Sequence, residues 1–180
     1  MQIIDTQTTH HTQENLFGLR CGLILVALLE GLEAVLDLPL IVDRPNLLYG
    51  PWAEVPTTTA GVLLAKVHVA AHPLLAIAAL TLTVLGNVRG ALIALAAISV
   101  VTWLSFLPVA LQDGLPFQSG WDIQWTVAQL FVFPLLAGMA IALAALTRLY
   151  MLAAVLVAIP TGYNVFGMVL FVANVIAANM

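Results

Sequence analysis

Charge is what this sequence has least of. Only 8% of its 180 residues are Asp, Glu, Lys or Arg, against 62% hydrophobic residues, and the mean hydropathy is +1.07. A soluble domain carries about a quarter charged residues, so this chain has too little polar surface to cover a core in water. Its single cysteine, Cys21, excludes an intrachain disulfide framework. Lys and Arg number five in all and are nowhere clustered, which excludes the electrostatic footprint of nucleic-acid or anionic-lipid binding. A glycine-rich phosphate loop, a Cys-based metal motif, a nucleophile elbow and an internal repeat are also missing. Residues 1–15 form a polar leader without a basic n-region, so no signal peptide is expected and the first helix should be retained. Arg20 precedes Cys21 and the apolar stretch follows it, the reverse of a lipoprotein signal.

What remains is long apolar runs. A helix needs about 20 apolar residues to cross the hydrocarbon core of a bilayer. Five segments reach that length, at about 16–42, 57–85, 91–111, 125–146 and 149–177. The expected fold is therefore all-α: a polytopic integral membrane protein, one domain over residues 16–180, built as a bundle of five transmembrane helices. Pro45 and Gly50-Pro51 stop the first span and Gly86-Asn87 the second. Pro73 and Pro160-Thr161-Gly162 fall inside spans, where a missing backbone donor is expected to kink the helix.

Orientation follows from the basic residues. In a five-span chain Arg20, Arg89 and Arg148 share one side, while Arg44 lies opposite with Asp43, Glu54, Asp113 and Asp122. This places the N-terminus in the cytoplasm and the C-terminus outside, in a plasma or inner membrane. Trp52, Trp121 and Trp125 then form an outer aromatic belt.

Against that apolar background the ionisable residues stand out. Glu30, Glu33 and Asp37 lie in the first span. At about 100° per residue Glu30 and Asp37 point within about 20° of each other, with Glu33 about 60° away, so the three make one acidic stripe. In the second span His68 and His72 are one turn apart on a shared face, and Lys66 points elsewhere. Counting about 1.5 Å per residue from Val42 and Thr57, Glu33 and Lys66 both lie about 14 Å deep, and Glu30 matches His68 with His72 a turn deeper. Thr102 and Ser105 of the third span, and Tyr163 and Asn164 of the fifth, reach similar depths. Polar groups from four helices are thus expected to converge in the outer half of the membrane.

Three carboxylates against one obligatory cation leave surplus negative charge in a medium where each unpaired charge costs several kcal/mol. Protons, a protonated histidine, a bound metal cation or entering water could each neutralise it. The i, i+4 histidines facing Glu30 and Glu33 suit a transition-metal ion (Fe, Zn, Mn or Cu), with Glu30, Glu33, His68 and His72 as ligands and Asp37, Lys66, Thr102, Ser105, Tyr163 and Asn164 as supporting or proton-linked groups. Bis-histidine haem is disfavoured, because two histidines on one helix face cannot flank a single iron. The leading expectation is a site that opens outward and binds a metal ion or metal cofactor for redox chemistry or metal handling. A proton- or cation-coupled small-solute carrier is the first alternative. The second is an accessory subunit of a larger membrane complex, or a homo-oligomer, whose buried charges are structural. Lys66 then serves as a counter-ion to Glu33, Gln129 as an interhelical hydrogen-bond donor, Trp103 as packing, and His10 and His11 as solvated leader residues. No reaction, and so no enzyme class, follows from these residues.

Overall fold

The computed structural model describes residues 5–38, 59–113, 120–146 and 149–178. All described elements are helical: α1 (Asp5–Asp37), α2 (Thr59–Val84), α3 (Val88–Asp113), α4 (Gly120–Val127), a π-helical turn (Ala128–Val132), α5 (Phe133–Ala145) and α6 (Tyr150–Ala178). Because α4, the π turn and α5 follow one another without a break, the described residues make five rods. Four of these, over Ala60–Val84, Val88–Pro108, Ile123–Ala145 and Tyr150–Asn174, are long and apolar enough to cross a membrane. The fifth, α1, is 33 residues long but interrupts its apolar run with Arg20, Glu30 and Glu33. It begins at Asp5 rather than Leu16, so residues 5–15 of the expected leader continue the helix. Its end expected near Val42 lies outside the described residues.

The turn between α2 and α3 shows how local sequence sets the register. Gly86 adopts φ +81°, a left-handed conformation that glycine takes without a Cβ penalty. The Asn87 N–H then reaches back to the Leu82 carbonyl (2.8 Å) and the Gly86 N–H to that of Thr83 (3.0 Å), closing a Schellman motif. Asn87 also opens α3 by accepting the Gly90 N–H on its side-chain oxygen at 2.9 Å, as an N-cap should. Arg20 of α1 completes this end of the bundle. Its Nε and a terminal guanidinium nitrogen donate to the Thr83 and Val84 carbonyls at 3.2 and 2.7 Å. These carbonyls end α2, where helical donors run out, Thr83 also accepting the Gly86 N–H, and a cation there complements the helix dipole.

The rods close into a ring in the order α1, α2, α3, α5, α6 and back to α1, with α3 also touching α1 and α6. Small residues line the contacts: Ala76 and Ala79 of α2, Ala91 and Ala96 of α3, Ala137, Ala140 and Ala144 of α5 and Ala153 of α6 are all buried. Small side chains let helix backbones approach closely, and apolar surroundings make that packing the main attraction between helices. The outward faces carry large apolar residues, among them Leu25, Leu32, Leu63, Ile77, Leu135 and Val155. α1 follows the same rule: Leu28, Leu32 and Val35 face out, and Glu30 and Glu33 face in.

Pro73, Pro108 and Pro160 all sit inside continuous helices. Pro134 acts differently. It cannot donate to the Leu130 carbonyl, and the turn before it widens so that the Phe133 N–H bonds the Ala128 carbonyl, five residues back. A π turn inserts an extra residue into the helix, and here it presents both Gln129 and Phe133 to the interior.

Candidate functional site

Hydrophobic patterning turns Glu30 and Glu33 of α1 inward, because its other faces carry leucine and valine. Glu30 is 5% exposed and Glu33 7%, beside His72 at 4% and Thr161 at 2%. Burying a carboxylate at that level is expensive unless its lone pairs are satisfied.

Glu30 is satisfied on both oxygens. Its Oε2 lies 2.8 Å from His72 Nε2 of α2, and its Oε1 accepts the hydroxyl of Thr161 of α6. The same hydroxyl oxygen is 3.3 Å from the Val157 carbonyl. This geometry closes in either protonation state. When Glu30 is ionised, Thr161 donates to Oε1 and His72 can donate from Nε2. When Oε1 carries the proton, it donates to Thr161, and the Thr161 hydroxyl turns to the Val157 carbonyl. Both partners adjoin helix prolines, His72 preceding Pro73 and Thr161 following Pro160. Each proline leaves the carbonyl four residues earlier, Val69 in α2 and Leu156 in α6, without its usual helical donor.

A second chain runs beside the first. Asn164 Nδ2 donates to Glu33 Oε2 at 3.4 Å, and Gln129 Nε2 donates to Asn164 Oδ1 at 3.4 Å. These bonds are long, and weaker than the Glu30 pair. Between the two chains lies a cavity of about 10 Å³ open to the centre of a water-sized sphere, bounded by Glu30, Ser99, Thr102, Gln129 and Asn164 with Ile98, Phe133 and Pro160.

The sequence-derived site residues fall into three groups. Glu30, His72, Glu33 and Asn164 are brought together in the cluster. His68 stands beside it, its ring 5.3 Å from that of His72 and tilted by 41°. Thr102 faces the cavity, whereas Ser105 donates to the Thr102 carbonyl at 2.7 Å. Tyr163 stacks on Trp125 (5.4 Å) and meets Phe133 edge-on (5.5 Å), and Lys66 is exposed on α2. Gln129 makes the interhelical bond expected of it. Trp103 is half-buried, its Nε1 enclosed with no hydrogen-bond partner. The side chains of Asp37, His10, His11, Trp121, Asp113 and Asp122, and residues Asp43, Arg44, Trp52, Glu54 and Arg148, lie outside the described residues.

Depth counting paired Glu30 with His68, but the carboxylate reaches His72. Measured from Val42 and Thr57, Glu30 is 42 − 30 = 12 residues down and His72 is 72 − 57 = 15. The difference is about 4.5 Å of helix rise, within the span of a glutamate and an imidazole side chain. Among the described residues, no three His, Cys, Asp or Glu side chains are grouped to hold one metal ion. The metal-ligand set expected from the sequence therefore gains no support from the geometry.

Thr161 went unrecognised in the sequence because it sits in a proline–glycine motif that reads as a backbone feature. Its signal was the i, i+3 spacing to Asn164, which puts both on one face of α6. No family model matches the chain, and no curated protein and no solved structure matches it either. Fold and site alone define the class: an all-helical bundle with a buried carboxylate–imidazole–hydroxyl cluster shared by three helices.

Proposed function

We propose that the chain is a five-span membrane carrier in which Glu30 takes up and releases a proton or a cation. The observation that carries this reading is the Glu30 bridge, which is hydrogen-bonded in either protonation state and ties together two helices next to their prolines. Ionisable groups inside a membrane bundle mark ion and proton pathways by default, and irregular backbone at that depth is tolerated where it lines a wet or functional cavity. Loss of the Glu30 bridge would free α2 and α6 to shift about Pro73 and Pro160, giving charge movement a conformational consequence. The apolar outer face of α1 supports its insertion as the fifth span despite its charges.

The positive-inside rule orients the bundle. Arg20 bonds the end of α2, so it shares an end with Arg89. That end is cytoplasmic and the Glu30 cluster lies in the outer half. In a Cys21→Ser background, a cysteine at exposed Leu85 should resist impermeant reagents in intact cells; labelling there from outside would invert the orientation.

The function is tested in proteoliposomes loaded with a pH-reporting dye and acidified inside. Adding external Na+ or K+ should raise internal pH several-fold faster than in protein-free vesicles. Glu30→Gln should fall to the protein-free rate, and Ser105→Ala should not. Wild-type vesicles indistinguishable from protein-free ones with both ions would contradict the proposal.

A further inference from the structure

The cavity beside Glu30 differs in chemistry from the histidine side of the same carboxylate. Its polar boundary is Glu30, Ser99, Thr102, Gln129 and Asn164, contributed by α1, α3, the π turn and α6. Every one of these side chains offers oxygen, and neither imidazole bounds the cavity. Oxygen-only surroundings select hard cations, whereas imidazole and thiolate select transition metals.

Four further observations narrow the ligand. The space, about 10 Å³, is no larger than a single water-sized particle, which favours a small ion. Thr102 Oγ1 donates its only proton to the Ile98 carbonyl at 3.0 Å, which leaves its lone pairs for a cation. Gln129 is 6% exposed, borders the cavity and commits its Nε2 to Asn164, so its side-chain oxygen is the atom it can offer a cation. Glu30 is the one carboxylate on the cavity boundary. A monovalent ion matches the single carboxylate on this boundary.

We propose that this cavity is a binding site for one small monovalent cation of the Na+ class, coordinated by Glu30 together with the oxygens of Thr102, Gln129 and Asn164. The site rests on the reading of Glu30 as an exchanging group and names the ion exchanged. The π turn has a role here: the extra residue it inserts brings Gln129 to the boundary, and Pro134 creates that turn.

Equilibrium binding of radioactive Na+ to the detergent-purified full chain, in choline buffer, tests it. Saturable binding of one ion per chain is expected, displaced by unlabelled Na+ and not by equal K+. Thr102→Val, which keeps the side-chain shape, should weaken binding by about tenfold or more with an unchanged melting temperature. Ser105→Ala should bind as wild type, and Glu30→Gln should not bind. Absence of saturable Na+ binding, equal displacement by K+, or full affinity in Thr102→Val would overturn the site. Na+ binding without vesicle flux would keep the site and remove the carrier. Flux driven equally by Na+ and K+, with no Na+ bound, would keep the carrier and remove the site.

Discussion

In the half of the bundle that holds Arg20 and the α2–α3 turn, Leu19, Leu23, Ala79, Leu92, Ala140, Ala144 and Ala153 are buried against one another. In the other half the same five rods bury Glu30, Glu33, His72, Gln129 and Thr161. The first half is joined by close apolar contact, which has one good arrangement and resists deformation. The second is joined by hydrogen bonds that a proton or an ion can redirect, on helices whose backbone ladders Pro73 and Pro160 interrupt. The contrast is that of a fixed base and an adjustable top. Arg20 belongs to the base although it is charged, because its partners are backbone carbonyls that do not titrate.

The largest effect should come from emptying the adjustable half of its central group. Glu30→Ala leaves His72 and Thr161 buried without their partner, and should lower stability in detergent by about 3 kcal/mol. Glu30→Gln keeps the shape and should cost about 1 kcal/mol. Thermal unfolding followed by circular dichroism checks both, and equal losses in the two variants would show that shape, not hydrogen bonding, holds this half.

Much of this division can be read from the sequence. Apart from α1, which starts at Asp5 rather than Leu16, the apolar runs place the rods to within a few residues; Gly86-Asn87 marks the turn, and the spacing of Glu30 and Glu33 puts both carboxylates on the inner face of α1. What could not be read depends on how the rods sit against each other. Helix rise alone does not set vertical offset, so depth counting favours His68, whereas packing brings His72 to Glu30. The π turn needed the particular response of the backbone to Pro134, and other helix prolines, such as Pro73, leave an α-helix unbroken. Arg20 suggested only a side of the membrane, since its acceptors are carbonyls that no side-chain pattern reveals.

A smaller effect is expected in the base. Ala140 is fully buried on α5, and Ala140→Leu should destabilise by about 2 kcal/mol through overpacking while leaving the affinity of the Glu30 site unchanged. A melting curve paired with Na+ binding separates the two halves; a changed affinity would mean that the base is not rigid. Smaller still, Arg20→Met removes two bonds to the end of α2 from a half-buried position, and should lower stability by about 1 kcal/mol without altering flux. A flux defect equal to that of Glu30→Gln would place Arg20 in the adjustable half.

If Glu30 holds α2 and α6 together across their prolines, hydrogen–deuterium exchange of the full chain in nanodiscs reads it directly, comparing wild type with Glu30→Gln. Roughly tenfold faster exchange, equivalent to about 1.4 kcal/mol, is expected in the segments around Pro73 and Pro160, with residues 91–96 of α3 and 137–144 of α5 unchanged. Identical protection around both prolines in the two proteins would contradict it.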